Sequence, residues 1–168
     1  MQKATSPRPD GLIIRAVRLE DAAAITEMVS LPGFRFGTLR LPHSRIEQTQ
    51  AWIAGMGNDA TNLVAVLDGT VVGNAGLNRH TGRRSHAAGI GIGVHDHFTG
   101  RGIGRALMNH LEQLAIAGGA PRLILQTGDR QPDAVALYER VGYTPIPIYE
   151  PYIETIPNSF CFEKVIAR

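Results

Sequence analysis

A short segment rich in glycine and arginine, TGRGIGRALMNHL (Thr99–Leu111), carries the clearest chemical signal in the chain. Its glycines and arginines stand at the start of a helical pattern: Gly100, Gly102, Gly104, Arg101 and Arg105. Glycine destabilises a helix interior by roughly 1 kcal/mol relative to alanine, so helix formation does not explain the presence of these glycines. The first N–H groups of a helix attract anions, glycine leaves them accessible, and arginine adds charged donors. The segment predicts a phosphate-binding loop or, on the plainer interpretation, a loop with unusual backbone angles.

The spacing of these glycines excludes two common nucleotide-binding motifs. The dinucleotide fingerprint requires G-x-G-x-x-G, and neither glycine pair of the loop continues in that way. The phosphate loop of nucleoside triphosphatases requires Gly-Lys followed by Ser or Thr, and this segment has no lysine. A phosphate on this loop therefore belongs to another class of ligand.

The segment before the loop, HAAGIGIGVH (residues 86–95), has the alternation of a β-strand. Apolar side chains face one side, and Gly89, Gly91 and Gly93 leave the other side bare. Glycine in a strand often marks the close approach of a ligand or of another part of the backbone. We expect a trench that leads to the glycine loop, with tight packing of a neighbouring helix as the alternative.

The rest of the chain predicts the elements that position the loop and the strand. Helices are predicted by apolar periodicity and by their caps: Glu20 to about Ser30, Arg45–Met56, one after the loop that buries Ile103, Leu107, Leu111 and Leu114, and residues 131–142. Strands are predicted over Leu12–Val17, a hairpin at residues 62–77 with an Asp68-Gly69 turn, Ser85–His95, residues 121–127 and two tail segments. The order β-α-α-β-β-β-α-β-α-β-β indicates a mixed α/β domain.

Composition narrows the class of protein. Of the 168 residues, 43% are apolar and 19% are charged, as in an ordinary globular domain. No apolar run approaches the roughly 20 residues of a membrane span, and residues 1–11 lack an apolar signal core, so we expect a flexible arm, a cytoplasmic location and no membrane partner. The net charge of +2 without a basic stripe argues against nucleic acid. The single Cys161 excludes an internal disulfide and a multi-cysteine metal site, and no metal is expected.

Two separated motifs resemble those of the GCN5-related N-acetyltransferase (GNAT) family. VHDHFTGRGIGRAL (residues 94–107) is similar to its acetyl-CoA signature, Q/R-x-x-G-x-G/A, and residues 131–143 are similar to its second signature, N-x-x-A-x-x-L-Y-x-x-x-G-F. Ile14–Asp21 resembles the first strand and helix. The resemblance implies that residues 12–168 form one acetyltransferase domain. Its single mixed sheet would be largely antiparallel, with a splayed parallel strand pair at the cofactor site and about four flanking helices.

The resemblance implies acetyl-CoA as the cofactor and assigns residues to it. The diphosphate would lie on the backbone amides of the loop, and the pantetheine arm would pair with the strand before it. These residues are Ile92, Gly93, Val94, Thr99, Gly100, Arg101, Gly102, Ile103, Gly104, Arg105, Gln131 and Tyr138. Two of them depart from the signatures: Thr99 replaces Gln or Arg, and Gln131 replaces Asn.

Tyr138 is the catalytic candidate that the resemblance selects. Its role would be to donate a proton to the departing coenzyme A thiolate, and the alternative is a core tyrosine with its hydroxyl bonded. The family often carries a glutamate base at about Gly89, and this strand has no carboxylate. Asn74, Asn78 and His80 are alternatives on the preceding strand, whereas His86, His95 and His97 are expected to be surface residues.

The acceptor is predicted from the segment LPGFRFGTLRLPH (residues 31–43), since this region of the family walls the acceptor side. Phe34 and Phe36 would contact an apolar side chain, and Arg35 or Arg40 would bind a carboxylate; the alternative is a surface loop with anchoring aromatics. Asn78 is added to the candidate acceptor site.

The missing carboxylate bears on the acceptor as well. At pH 7.5 an α-amino group of pKa about 7.8 is roughly one-third neutral, and a lysine of pKa about 10.4 only roughly 0.1% neutral. Two segments, residues 37–43 and 83–92, also resemble a bacterial subgroup that acylates free amino acids. We expect an acetyl-CoA-dependent N-acetyltransferase acting on a small-molecule primary amine, an apolar amino acid in particular, by direct attack in a ternary complex. The alternatives are a polyamine, an aminoglycoside, a protein N-terminus or a non-catalytic acyl-CoA-binding module, and a homodimer is left open.

Overall fold

One mixed sheet of seven strands organises the protein, and the computed structural model describes residues 7–38, 40–155 and 158–166. The strands are β1 (Ile13–Ala16), β2 (Ala60–Leu67), β3 (Thr70–Arg79), β4 (Ala87–Val94), β5 (Arg122–Gly128), β6 (Thr144–Ile146) and β7 (Ser159–Val165). Their order is β1-β2-β3-β4-β5-β7-β6, and within the described ranges every pair is antiparallel except β4 with β5. The predicted fold class is confirmed.

Helices cover both faces of the sheet. They are α1 (Ala22–Ser30), α2 (Pro32–Thr38), α3 (Ile46–Ala54), α4 (Ile103–Ala117), α5 (Pro132–Arg140) and α6 (Tyr152–Thr155). The larger apolar core lies under α4 and α5, and a smaller one, which includes Met28 and Val64, lies under α1. The predicted apolar face of α4 is confirmed, because Ile103, Leu107 and Leu111 are almost completely buried. In the described parts of the chain, no helix is long and apolar enough to cross a membrane.

The β2–β3 hairpin forms where turn chemistry predicts it. Asp68 and Gly69 both have positive φ values, 49° and 77°. Two successive left-handed residues give a turn whose twist matches that of the flanking strands, and Asp-Gly adopts this turn readily. The hairpin pairs β3 with β2, and the other edge of β3 pairs with β4, so β3 links the turn to the glycine-rich strand.

The prediction for residues 31–43 is wrong in part. Turn residues and glycines suggested an irregular segment there, whereas Pro32–Thr38 forms helix α2. Pro32 suits the first position of a helix, since proline has no N–H to satisfy there and its φ is already helical. Tertiary contacts described below account for Gly33 and Gly37. The short helix α6 is a second element that sequence periodicity missed, between the two predicted strands of the tail.

The first described residues of the predicted arm lie beside α4. Arg8 Nη2 donates to the carbonyl of Leu12 at 2.5 Å. Pro7 and Arg8 line a pocket of about 540 Å³ together with Arg105 and other residues of the exposed side of α4. Residues 1–6 of the arm fall outside the described ranges.

Candidate active site

Strands β4 and β5 run parallel but stay paired over a short distance. Ala87–Gly89 pairs with Arg122–Ile124, and the described pairing ends there. β4 remains paired with β3 as far as Val94, while β5 remains paired with β7 as far as Gly128. The two strands therefore diverge from a closed end at Gly89, and we call the gap beyond it the β4–β5 notch.

Backbone hydrogen bonds show which residues of β4 face the notch. His95 N–H donates to the carbonyl of Val72 at 2.9 Å, and His80 N–H donates to the carbonyl of Ala87 at 3.3 Å. Successive residues of a strand direct their backbone groups to opposite edges, so the odd-numbered residues of β4 bond to β3. The backbone groups of the even-numbered ones face the notch: Ile90, Ile92 and Val94. Gly93, also predicted to bind the pantetheine arm, directs its backbone to β3.

The glycine loop joins the open end of β4 to α4. Gly100 and Gly102 have φ values of 74° and 82°, a left-handed conformation that costs an L-residue roughly 1–2 kcal/mol. Both glycines are therefore required by the backbone itself. Gly104 has a different reason, because a Cβ built there would lie 2.9 Å from Leu137 Cδ2. Its missing side chain lets α4 approach α5.

The loop's side chains spread in different directions. Thr99 Oγ1 donates to the carbonyl of Asp96 at 3.4 Å, and the Arg101 guanidinium lies 5.0 Å from the centroid of the Phe98 ring. Arg105 is exposed on the first turn of α4, whereas Ile103 is buried and anchors that turn to the core. The first-turn N–H groups of α4 point back toward the loop and have no carbonyl within the helix to bond.

The opposite face of β4 lies against α2. A Cβ built on Gly93 would be 2.5 Å from Phe34 Cζ and 2.7 Å from Asn74 Oδ1, so the Phe34 ring occupies that space. A Cβ built on Gly91 would meet no atom within 4 Å. Both expectations for this strand face, a trench and a closely packed helix, are therefore met in part. Helix α2 packs closely at Gly93, and the space beside Gly91 is open.

Two hydrogen bonds hold α2 in this position. Gly33 N–H donates to Asp96 Oδ2 at 2.8 Å, and Gln131 Nε2 donates to the carbonyl of Gly37 at 2.5 Å. Built Cβ atoms at both glycines would approach Asp96 or Gln131 to about 3 Å. Gln131, predicted to bind the cofactor, bonds to α2 in this structure. Sequence reasoning missed Asp96 and the glycine pair, although the i, i+4 spacing of Gly33 and Gly37 was a readable sign of one close-packed helix face.

Tyr138 lies in the larger core and is 4% exposed. Its ring centroid is 6.2 Å from that of Tyr143 and 5.9 Å from that of Phe162. Burial raises the pKa of Tyr138 to about 12, because the phenolate is poorly solvated there. The hydroxyl therefore keeps its proton throughout the neutral pH range.

The candidate acceptor residues fall into two groups. Phe34 contacts the strand face at Gly93, and the exposed Asn78 lies opposite Gly89 in the β3–β4 ladder. The others line a separate pocket of about 340 Å³ with two residues that were not predicted: Arg35, Phe36 and Arg40, with Pro32 and Arg130. The Arg130 guanidinium lies 5.0 Å from the Phe36 ring centroid, and Arg35 Nε donates to the carbonyl of Ser30 at 2.9 Å.

Residues 25–143 match the family model described as the acetyltransferase (GNAT) family. The chain belongs to this family. It is an acetyl-CoA-dependent N-acetyltransferase, and the predicted enzyme class and cofactor are confirmed. The motifs that carried the resemblance lie within or next to the matched range.

Solved acetyltransferase structures share the fold. A GCN5-related N-acetyltransferase from Kribbella flavida is 23% identical with a TM-score of 0.77, covering 94% of this chain and 99% of that one. The yncA protein of Salmonella typhimurium, with its cofactor acetyl-CoA, is 18% identical with a TM-score of 0.77 over 95% and 96% of the two chains. The ribosomal-protein-S18-alanine N-acetyltransferase of Escherichia coli is 20% identical with a TM-score of 0.70 over 94% and 95%.

We predict that Gly93→Ala destabilises the acetyltransferase through α2. The added methyl group overlaps the Phe34 ring, and overpacking of this kind costs roughly 1–3 kcal/mol. Gly91→Ala is the matched control, because it adds the same methyl group to the same strand face with no atom within 4 Å. Urea unfolding of both variants measures the difference. Equal stability of the two variants would show that Phe34 does not pack on β4 in solution.

Proposed function

We propose that this acetyltransferase acetylates the α-amino group of a small free amino acid with an apolar side chain. The observation that carries the proposal is the composition of the acceptor side. Phe34 supplies an apolar surface on the glycine face of β4, and three arginines, Arg35, Arg40 and Arg130, line a separate pocket beside α2. Strands β3 and β4 contribute no carboxylate.

Charge favours an acceptor that carries a carboxylate. A guanidinium binds a carboxylate through parallel hydrogen bonds, and like charges placed together are repelled. A polyamine or an aminoglycoside would bring several positive charges to a surface that already has three. The finer sequence resemblance to amino-acid acyltransferases points in the same direction.

The notch and the loop supply groups of the kind that acetyl-CoA requires. The backbone edge of Ile90, Ile92 and Val94 is available to an amide-bearing arm, as an added strand would use it. The left-handed glycines and the first turn of α4 suit a diphosphate, with Arg101 and Arg105 as exposed cations. Gln131 donates one side-chain N–H to Gly37, which leaves its second N–H and its Oε1 for the cofactor.

Acetyl-CoA, when bound, supplies an acetyl thioester whose bond to sulfur breaks as the new bond to nitrogen forms. Backbone N–H groups of β4 at the notch would orient the carbonyl and stabilise charge on its oxygen. Tyr138 would give its hydroxyl proton to the departing sulfur and regain one from solvent. Its raised pKa keeps the proton on the hydroxyl until then.

A protein N-terminus is the second candidate acceptor. Its support is the structural likeness to the Escherichia coli enzyme, whose name assigns it an alanine of the ribosomal protein S18. A protein N-terminus is also an α-amino group, so both candidates make the same demand on the reacting nitrogen. They differ in the carboxylate, which a free amino acid has beside its amine and a peptide has converted to an amide.

A panel of acceptors tests the proposed function. Methionine, phenylalanine and leucine are compared with their amides, with spermidine, with a lysine-bearing peptide and with a peptide that begins with alanine, by the rate of thiol release. We expect the free acids to have kcat/KM at least tenfold above the amides, about 1.4 kcal/mol for the lost carboxylate contact. Arg35→Ala, Arg40→Ala and Arg130→Ala should then raise KM for the acid with little change for the amide.

The panel also separates the alternatives. Amides or spermidine that react as well as the free acids would rule out carboxylate recognition and the amino-acid proposal. Preference for the alanine peptide would support the protein N-terminus instead. Acetyl-CoA binding without turnover of any amine would identify a non-catalytic binding module.

For the cofactor loop, we predict that Gly100→Ala weakens acetyl-CoA binding by roughly tenfold. The left-handed φ of 74° is unfavourable for alanine, so the loop relaxes in the free protein and must be restored on binding. Gly119→Ala is the control, since Gly119 has φ 75° and, like Gly100, no atom within 4 Å of a built Cβ, but lies beyond the far end of α4. Calorimetry should find lost affinity for Gly100→Ala alone, and equal affinities would remove the loop from the cofactor site.

For Tyr138, we predict that Tyr138→Phe lowers kcat by roughly 10²-fold or more, the scale of a lost general acid. The ring and its packing remain, so thermal unfolding should change little. Tyr143→Phe is the control, because it removes a hydroxyl from the neighbouring ring of the same aromatic cluster. If Tyr138→Phe keeps the wild-type kcat, Tyr138 is a core residue and the acid lies elsewhere.

A further inference from the structure

His80 lies at the closed end of the notch, on the face that α2 covers. It follows the last residue of β3, and its N–H bonds to the carbonyl of Ala87. Its Nε2 lies 3.6 Å and its Cε1 3.9 Å from a Cβ built on Gly89. The imidazole therefore lies at van der Waals distance from the Cβ position of residue 89, the last β4 residue that pairs with β5.

The Nε2 atom of His80 is buried and has no hydrogen-bond partner within the described ranges. A buried polar atom without a partner costs free energy, and native proteins seldom retain one without a reason. The atom is directed at Gly89 of β4, a strand that carries no polar side chain. A ligand at the closed end of the notch is a partner that this geometry allows.

Strands β3 and β4 and the turn between them offer few other proton acceptors. Between Thr70 and Val94 the titratable side chains are Arg79, His80, Arg83, Arg84 and His86. An arginine stays protonated in proteins and cannot accept a proton. His86 is exposed, at the turn before β4. Asn74 and Asn78 share the strand face with His80, but a neutral amide does not take up a proton.

We propose that His80 is the general base of this acetyltransferase, and the proposal rests on the proposed function, which makes a primary amine the acceptor. One N–H bond of the acceptor's ammonium group breaks, the electron pair stays on nitrogen, and the proton passes to His80 Nε2 and then to solvent. The nitrogen then has the lone pair with which it forms the new bond to the acetyl carbon. When the carbon–sulfur bond breaks and Tyr138 protonates the sulfur, the nitrogen loses its second proton to solvent and the amide is formed. His80, the residue after β3, thus supplies the function that a carboxylate on β4 would otherwise serve.

The assignment also places proton removal and proton donation on opposite faces of β4. His80 lies on the Gly89–Gly91–Gly93 face, beneath which the acceptor has open space at Gly91. Tyr138 lies in the core on the other face, with α4. An amine that enters from the α2 side therefore meets its base first, and the departing sulfur meets the phenol.

The test compares His80→Gln with His86→Gln in the steady state. Glutamine keeps a hydrogen-bonding side chain and cannot act as a base at neutral pH. We expect kcat for the preferred acceptor to fall by roughly 10²-fold in His80→Gln, with an unchanged acetyl-CoA Kd by calorimetry, and His86→Gln to behave as the wild type. Added imidazole should restore part of the kcat of His80→Ala, which a purely structural role would not allow.

A second readout does not depend on turnover. The Cε1–H NMR signal of His80, assigned by its loss in His80→Gln, should shift when the acceptor is added to the protein with coenzyme A, and that of His86 should not. If the wild type is active and His80→Gln keeps its kcat, this proposal fails and the proposed function stands. The same follows if the kcat lost in His80→Gln is accompanied by a raised acetyl-CoA Kd and imidazole does not restore the kcat of His80→Ala. A wild type that acetylates no amine would overturn the proposed function, and this inference with it.

Discussion

The divergence of β4 from β5 beyond Gly89 is the constraint on which the site depends. Parallel strands that separate leave backbone groups without partners, and such groups are costly when they are buried. Here the groups of Ile90, Ile92 and Val94 are left along the notch, while β3 and β7 keep the outer edges of the two strands paired. The fold thus maintains one local break in an otherwise continuous sheet, at the place where an extended ligand can complete the pairing.

Packing on both faces of β4 stabilises this break. On one face, the side chains of Ile92 and Val94 lie within 3.7 Å of a Cβ position at Gly104, next to Leu137 of α5. On the other face, Phe34 of α2 covers Gly93. Because well-packed interiors do not deform continuously, beyond Gly89 the position of β4 is fixed by α2 and α4 on its faces and by β3 along its edge, and no longer by β5.

Glycine serves three separate purposes around the notch. Gly100 and Gly102 supply left-handed backbone, whereas Gly33, Gly37, Gly93 and Gly104 allow close approach of another element, and Gly91 leaves open space. The high glycine content of the segments around the notch therefore has three separate physical causes. The predicted phosphate-binding loop and the first turn of α4 also contribute to the packing of α4 against α5, so a substitution there affects both cofactor binding and stability.

Local signals in the sequence determined much of the architecture. The apolar stripe of α4, the Asp-Gly turn and the glycine loop before the helix were all readable, because helix period, turn chemistry and capping act over a few residues. The two signatures, read together, also indicated the family. What only the tertiary structure decided joins residues far apart: the Gln131–Gly37 bond spans 94 residues, and the Gly33–Asp96 bond spans 63. Helix α2, the end of the β4–β5 pairing and the burial of His80 Nε2 all depend on such contacts, and no local pattern encodes which distant group will fill the space that a glycine leaves.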